Sequence, residues 1–216
     1  MNDLSTKDSK EIINTVSNLL RESKISSLEN YSLMLVDKYP NWDFSYNALA
    51  ISLKESGNYI DAAKYFSKAI SINSSPSNKN NLGSLYKDAG EINKAEIIFL
   101  NILKSDKNFY QAYYNLASIY YDLGEYDKSE IFFNDTLKIE NSYFPALLGL
   151  ANLLREKENF SEALIYYDKA LKINPDLDFL SVELFFAKNI LCDWRHYEKN
   201  IKIIKDKIFK SKKIST

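Results

Sequence analysis

Cys192 and His196 are the only cysteine and the only histidine in the chain, and their four-residue spacing places both on one face of a helix. Two such ligands hold a zinc ion only when other residues complete the site, and no further cysteine or histidine exists to do so. The same scarcity leaves a cysteine nucleophile without an oriented base. We therefore expect a helix carrying a polar residue here, with no metal and no catalytic pair.

Asp176 and Asp178 have the Asp-x-Asp spacing of a metal-binding motif, but they directly follow Asn174 and Pro175. Aspartate after such a boundary is typical of a helix start, and this is the interpretation we favour. A glycine-rich phosphate loop is also missing, because the five glycines fit turns and close helix contacts. The sequence therefore predicts a protein that is not an enzyme and has no cofactor, no metal site and no catalytic residue.

The remaining sequence is organised by a repeat of about 34 residues. Each unit has apolar residues at helical spacing, then a turn, then a second helical pattern. The turn places are Ser23, Gly57, Gly90, Gly124, Glu158 and Cys192. A small residue five positions after the turn marks close helix contact, at Ala62, Ala95, Ser129 and Ala163, and an aromatic follows four positions later, at Phe66, Phe99, Phe133 and Tyr167.

This pattern resembles the tetratricopeptide repeat (TPR). The first helices carry its Leu-Gly or Leu-Ala pair at Leu49-Ala50, Leu82-Gly83, Leu116-Ala117 and Leu150-Ala151, and Pro175 closes a unit. The resemblance implies an all-α fold, a right-handed α-solenoid of about six antiparallel helical hairpins.

The repeat register divides the chain into eight segments. Residues 1–8 are expected to be a flexible N-terminus, and residues 9–42 a degenerate first hairpin. Four TPR units follow at 43–75, 76–109, 110–143 and 144–177. A capping hairpin at 178–210 and a tail at 211–216 complete the chain, because terminal repeats have one face without a neighbour.

In TPR arrays the first helix of each hairpin lines an inner groove. Side chains on that face are polar or aromatic and weakly charged, which suits an extended peptide backbone. They are Asn81, Ser84 and Lys87 in one unit, Asn115, Ser118 and Tyr121 in the next, and Asn152 and Arg155 in the one after that. The alternative is that asparagine is simply frequent in this chain. Gln111, Asn115, Pro145 and Gly149 carry no positive charge, which disfavours a clamp for a terminal carboxylate.

Cys192, Asp193 and Trp194, with Tyr197 after them, resemble the junction that follows the TPR array in O-linked N-acetylglucosamine transferases. In that family the array selects protein substrates, partly through inner asparagines, and a downstream domain uses a UDP-sugar. Asn81 and Asn115 match that asparagine ladder, whereas Ala48 and Gly149 interrupt it. The resemblance implies an alternative function, the substrate-recognition arm of a truncated or split glycosyltransferase.

Charge and hydropathy limit the possible partners. Twenty-eight basic residues balance 29 acidic ones, and Arg21, Arg155 and Arg195 are the only arginines, so nucleic acid binding is not expected. We expect a cytoplasmic protein without a membrane span or signal peptide. A protein or peptide ligand in the groove is the expected partner, with a glycosyltransferase module or a second copy as alternatives. Ile201, Ile204 and Ile208 make one apolar stripe among lysines, and such a basic amphipathic helix could lie on an anionic membrane, although a packed last helix is the simpler interpretation.

Overall fold

The computed structural model describes residues 5–175, 178–192, 198 and 201–202, and no strand occurs among them. Eleven helices have their bounds within these residues. The bounds are α1 Thr6–Arg21, α2 Ile25–Lys38, α3 Asp43–Glu55, α4 Tyr59–Ile72, α5 Pro76–Asp88, α6 Ile92–Ser105, α7 Tyr110–Asp122, α8 Tyr126–Ile139, α9 Phe144–Glu156, α10 Phe160–Ile173 and α11 Asp178–Ile190. The all-α prediction is confirmed. No helix in the described part of the chain is long and apolar enough to cross a membrane.

The turn after each first helix, α1, α3, α5, α7, α9 and α11, has one residue in the left-handed conformation. Gly57, Gly90 and Gly124 have φ values of 80°, 77° and 74°. Ser23, Glu158 and Cys192 take the same conformation, with φ values of 52°, 59° and 53°. All six are the turn places of the sequence repeat, and left-handed backbone is what ends a helix in a tight reversal. The 34-residue repeat of the sequence is therefore also a repeat of backbone conformation at the turns.

Helix starts are stabilised by polar side chains in several of the hairpins. The Ser5, Asn58, Ser75 and Asn159 side chains each accept a hydrogen bond from the backbone N–H three residues on. Pro76 and Pro145 occupy the first turns of α5 and α9, where the missing N–H would have no helical partner. The four capping side chains thus satisfy backbone N–H groups that a helix start leaves unpaired.

The helices form two compact units, Met1–Ala112 and Tyr113–Thr216. In the first unit, α2 packs on α3, α3 on α4, α4 on α5 and α5 on α6. One cluster of buried side chains, including Leu28 and Leu35, joins the first hairpin to Ala48 of α3. A second cluster includes Leu49, Phe66 and Leu85, each 1% exposed. Each hairpin therefore buries its apolar face only with a neighbour's help.

In the second unit, α8 packs on α9, α9 on α10 and α10 on α11. Its core contains Phe133, Leu150 and Tyr167, and Leu184 of α11 packs against it. Tyr120 stacks on Phe132 with ring centroids 5.4 Å apart, which joins α7 to α8. Aromatic rings thus take part both in the core of this unit and in the contact between its helices.

The small residues expected at close helix contacts are confirmed, since Ala62, Ala95, Ser129 and Ala163 are all 0% exposed. The Ser129 hydroxyl also donates a hydrogen bond to the Ala117 carbonyl across the hairpin, at 2.8 Å. The expected aromatics Phe66, Phe99, Phe133 and Tyr167 are buried as well.

Gly149 is required by a close approach between α9 and α8. A Cβ atom added at Gly149 would lie 2.5 Å from Cε1 and Cζ of Phe133. No side chain fits there without moving the ring. An asparagine at this position would meet the same ring, which gives a physical reason for the interruption of the asparagine pattern in this unit.

Candidate functional site: the faces of the first helices

The first unit places Asn81, Ser84 and Lys87 along one side of α5, and all three are partly exposed. The Asn81 amide donates to Oδ1 of Asn47 on α3, at 3.2 Å. Within the described residues, the Asn81 carbonyl oxygen and the Ser84 hydroxyl make no hydrogen bond. Asn81 and Ser84 are one helical turn apart and so offer an acceptor and a hydroxyl on the same face.

Asn81 lies at the end of a polar network that the repeat pattern did not reveal. Asn47 donates to Oδ1 of Asn78 at 2.8 Å, and Asn78 donates to the Asp43 carboxylate at 2.8 Å. Asn73 donates to the same carboxylate at 3.0 Å. Asn47 and Asn78 are 7% and 4% exposed. The network fixes α3 against α5 and orients the Asn81 side chain, because buried amides are held by their partners.

A salt bridge joins the same two helices at their C-terminal ends. Lys54 of α3 contacts Asp88 of α5, with Nζ and Oδ2 2.7 Å apart. Lys54 occupies the place in its helix that Lys87 occupies in α5. Sequence reasoning missed Lys54, although its equivalence to Lys87 in the repeat register was a usable signal.

In the second unit, Asn115 and Ser118 lie on α7 at the places of Asn81 and Ser84. Asn115 is 7% exposed, so little of its amide reaches the surface. Ser118 is partly exposed, and its hydroxyl makes no hydrogen bond with a described residue. Ser118 is therefore the more accessible of the two.

Asn152 of α9 is partly exposed, and its carbonyl oxygen accepts a hydrogen bond from the Tyr167 hydroxyl at 2.7 Å. Tyr167 replaces the phenylalanine of the preceding repeats and is 0% exposed. The carbonyl oxygen of Asn152 thus gives a buried hydroxyl its acceptor. The amide N–H groups of Asn152 make no hydrogen bond with a described residue. One side chain serves both the core and the surface.

Tyr121 and Arg155 lie near the ends of α7 and α9. Burial raises the pKa of the Tyr121 hydroxyl, and the negative charge of Glu156 raises this pKa further. The Tyr121 ring packs against Tyr126, with centroids 5.7 Å apart. Arg155 is paired with Glu156, at 3.0 Å between Nη2 and Oε1. This end of the face therefore carries the Tyr121 ring and an arginine that is paired with a carboxylate.

The junction residues are described only in part. Cys192 is exposed and is the left-handed turn residue after α11. Asp193, Trp194 and Tyr197 lie outside the described residues, as does His196. Among the described residues, no group of three histidine, cysteine, aspartate or glutamate side chains could hold a metal ion.

Comparison with protein families assigns the repeats. Two segments, 45–76 and 77–109, match one model of the tetratricopeptide repeat, and residues 108–176 match a second. The matches together extend over residues 45–176, more than half of the chain. The chain therefore belongs to the tetratricopeptide repeat family. Comparison with curated protein sequences gave no significant match.

Solved structures share the fold at low sequence identity. The pilF protein of Pseudomonas aeruginosa is 15% identical with a TM-score of 0.74, and the alignment covers 91% of this chain and 90% of that one. A thermophilic TPR protein of Thermus thermophilus is 17% identical with a TM-score of 0.70, over 82% and 97%. Yeast Tom70 is 21% identical with a TM-score of 0.71, over 83% of this chain and 38% of Tom70. These likenesses establish an α-solenoid of TPR hairpins, a fold consistent with a protein-interaction scaffold.

Proposed function

We propose that the protein is a non-catalytic scaffold that binds an extended peptide segment of a partner protein on the faces of its first helices. The observation that carries this proposal is the recurrence of unused hydrogen-bonding groups on those faces. Asn81 and Ser84 present them in the first unit, and Ser118 and Asn152 in the second. Amide and hydroxyl groups bind backbone N–H and C=O groups of any sequence, so they suit an extended chain.

The polar network in the first unit supports the same proposal. Asn81 is held by Asn47, which is itself held by Asn78 and Asp43. A side chain fixed in this way loses less conformational entropy on binding than a free one. Asn115 is a weaker contributor because of its burial, whereas Lys87, Tyr121 and Arg155 would supply contacts at the ends of the helices.

The test is to select binders from a phage-displayed library of random linear peptides and to measure the affinity of one selected peptide by calorimetry. We expect the double variant N81A/S84A to weaken binding by about tenfold, or about 1.4 kcal/mol, with unchanged helicity by circular dichroism. The matched control is S67A on α4, a second helix, where the hydroxyl only bonds the Ala63 carbonyl. Equal affinity of N81A/S84A and S67A would contradict the assignment of this face.

A second proposal is that the chain is the substrate-recognition arm of a glycosyltransferase encoded separately. It depends on the resemblance around Cys192, and the family matches end at residue 176, before that motif. The exposed turn at Cys192 is compatible with a contact to a following module. A reading frame just downstream that encodes a two-lobed sugar transferase would support it, and an unrelated frame would remove its basis.

The absence of catalysis is tested separately. The purified chain is expected neither to bind nor to hydrolyse UDP-N-acetylglucosamine, measured by calorimetry and by release of UDP. Clear turnover would contradict the non-enzyme assignment.

A further inference from the structure

A crevice of about 420 Å³ opens in the second unit where α8, α9 and α10 meet. Its lining comes mainly from the second helices of two hairpins, so it is separate from the first-helix faces described above. The volume falls in the range of small-molecule sites, which extends from about 300 to 1,000 Å³.

The floor of the crevice is apolar. Leu147 of α9 is 1% exposed, and Leu137 of α8 and Tyr166 of α10 pack partly buried against the same core. Leu137 and Tyr166 present aliphatic and aromatic surface to the crevice, whereas Leu147 lines it with little exposed surface. The Tyr166 hydroxyl can donate a hydrogen bond. Burial raises the pKa of this hydroxyl, and the negative charges of Glu162 and Glu130 raise it further.

The rim of the crevice is positively charged by two lysines. Lys138 is already paired with Asp135, at 2.7 Å between Nζ and Oδ1. The Lys169 ammonium lies 5.0 Å from the centroid of the Tyr166 ring and forms no ion pair with a described residue. The Asn134 and Asn141 side chains add neutral polar groups. Lys169 is therefore the lysine of this rim that has no ion-pair partner among the described residues, and a single ammonium suits a monoanion better than a dianionic phosphate.

Among the equivalent places of the repeat, two lysines occur together only where α8 and α10 line this crevice. In the repeat register, Lys138 and Lys169 stand at places that successive second helices fill with other pairs. These pairs are Asp37 with Lys68, Ser71 with Asn101, and Lys104 with Asp135. None of the three pairs has a net positive charge, so the basic rim is not a general feature of the TPR pattern in this chain.

We propose that this crevice binds a small organic carboxylate, with the carboxylate beside Lys169 and the apolar part of the ligand on Leu137, Leu147 and Tyr166. The occupant is a free acid, because the volume is that of a small-molecule site.

Octanoate is the probe, titrated into the full chain and followed by calorimetry and by the methyl NMR signals of Leu137 and Leu147. We expect saturable binding that shifts both leucines. Octanol, which has no charge, and acetate, which has no apolar chain, should each bind at least about tenfold more weakly. The variant K169E should also weaken octanoate binding by at least about tenfold, whereas K172E, one turn further along α10 and outside the crevice, should leave it within about twofold.

Three results would overturn the proposal. Octanol binding as tightly as octanoate would show that the charge plays no part. Unchanged leucine signals would place the ligand elsewhere. Tighter binding of a short peptide ending in a free leucine carboxylate would assign the crevice to a chain terminus instead of a free acid. The helicity of K169E, measured by circular dichroism, distinguishes a folding defect from a loss of binding in a folded chain.

Discussion

The Tyr167 hydroxyl donates a hydrogen bond to the Asn152 carbonyl oxygen at 2.7 Å, and this contact exists in only one of the repeats described here. The two preceding units have phenylalanine at the place of Tyr167 and serine at the place of Asn152, as in Phe99 with Ser84 and Phe133 with Ser118. The two exchanges belong together, because a buried hydroxyl needs an acceptor and a longer side chain on α9 supplies it.

We expect Y167F to lower the free energy of unfolding by about 1 kcal/mol, the net contribution of one such hydrogen bond. In a chain that already carries N152A, the Y167F substitution should lower the free energy of unfolding little further. A double-mutant cycle of Y167F and N152A, measured by urea unfolding, should therefore give a coupling of about 1 kcal/mol. Additive effects of the two variants would contradict the coupling.

Gly149 should not tolerate a methyl group. The Cβ of G149A would lie 2.5 Å from two atoms of the Phe133 ring, so the ring or α9 must move. We expect a loss of about 1 to 3 kcal/mol in the free energy of unfolding. The control is the same change in an F133L background, where the ring atoms are removed and the added loss should be smaller. An equal loss in both backgrounds would show that the ring is not the cause.

Glu158 stands in a left-handed conformation, with φ of 59°, where other hairpins of the chain have glycine. Side chains with a Cβ are strained there, so E158G is expected to raise the free energy of unfolding by about 1 kcal/mol. Thermal unfolding measures the gain. K172G on α10 is the contrasting control, since glycine within a helix should destabilise by about 1 kcal/mol. Destabilisation by E158G would mean that the Glu158 side chain makes a compensating contact.

Ser32 and Ser129 are both 0% exposed but differ in one respect. The Ser32 hydroxyl has no hydrogen-bond partner among the described residues, whereas Ser129 donates to the Ala117 carbonyl. We expect S32A to stabilise the protein by about 1 kcal/mol and S129A to destabilise it by a similar amount. Urea unfolding of the two variants gives the comparison. Destabilisation by both would indicate that an unseen partner satisfies Ser32.

Lys157 contacts both Asp127 and Glu130 of α8, with its Nζ 2.8 Å from an oxygen of each. Its hydrogen bond and positive charge lower the pKa of Asp127. We expect K157M to raise that pKa, measured by NMR titration of the side-chain carboxyl carbon. K128M, which removes a lysine paired with Glu125 instead, should leave the Asp127 titration nearly unchanged.

The sign of the accompanying pH dependence follows from the lowered pKa. The contribution of Asp127 to stability is present above its pKa in the unfolded chain and is lost as pH falls through its lower pKa in the folded chain. K157M should therefore flatten the acid side of the stability curve slightly, because the pair is largely exposed. A steeper acid side in K157M would contradict this assignment.

The repeat pattern was sufficient to predict the helices α1 to α11 of the described residues, because it depends on local features. Turn residues such as Gly90 and small contact residues such as Ala95 recur at one spacing, and backbone and packing requirements act on each unit alike. The pattern could not predict contacts between side chains of neighbouring units. Asn47 binds Asn78 and Asn81 only because α3 and α5 come close, and no spacing along the chain encodes that distance.

The exposure of the candidate binding residues could not be predicted from the repeat pattern either. Asn115 and Asn81 are equivalent in the sequence, yet Asn115 is buried and Asn81 is partly exposed. Asn152 was expected on a polar face, and its hydrogen bond to Tyr167 could not be foreseen without the position of α10. The crevice beside Lys169 also lies between helices, so it required the structure.

The shared backbone conformation at Gly124 and Glu158 makes the array modular. A chain cut at one of these turns and rejoined at the other would lose two helices, α8 and α9, which is the length of one repeat, yet it would still have the same backbone geometry at the junction. Duplication between the same two points would lengthen the array by one repeat and add only a turn of the same conformation. Only the side-chain contacts of the flanking helices would have to adapt, so the number of repeats can change more readily than their internal design.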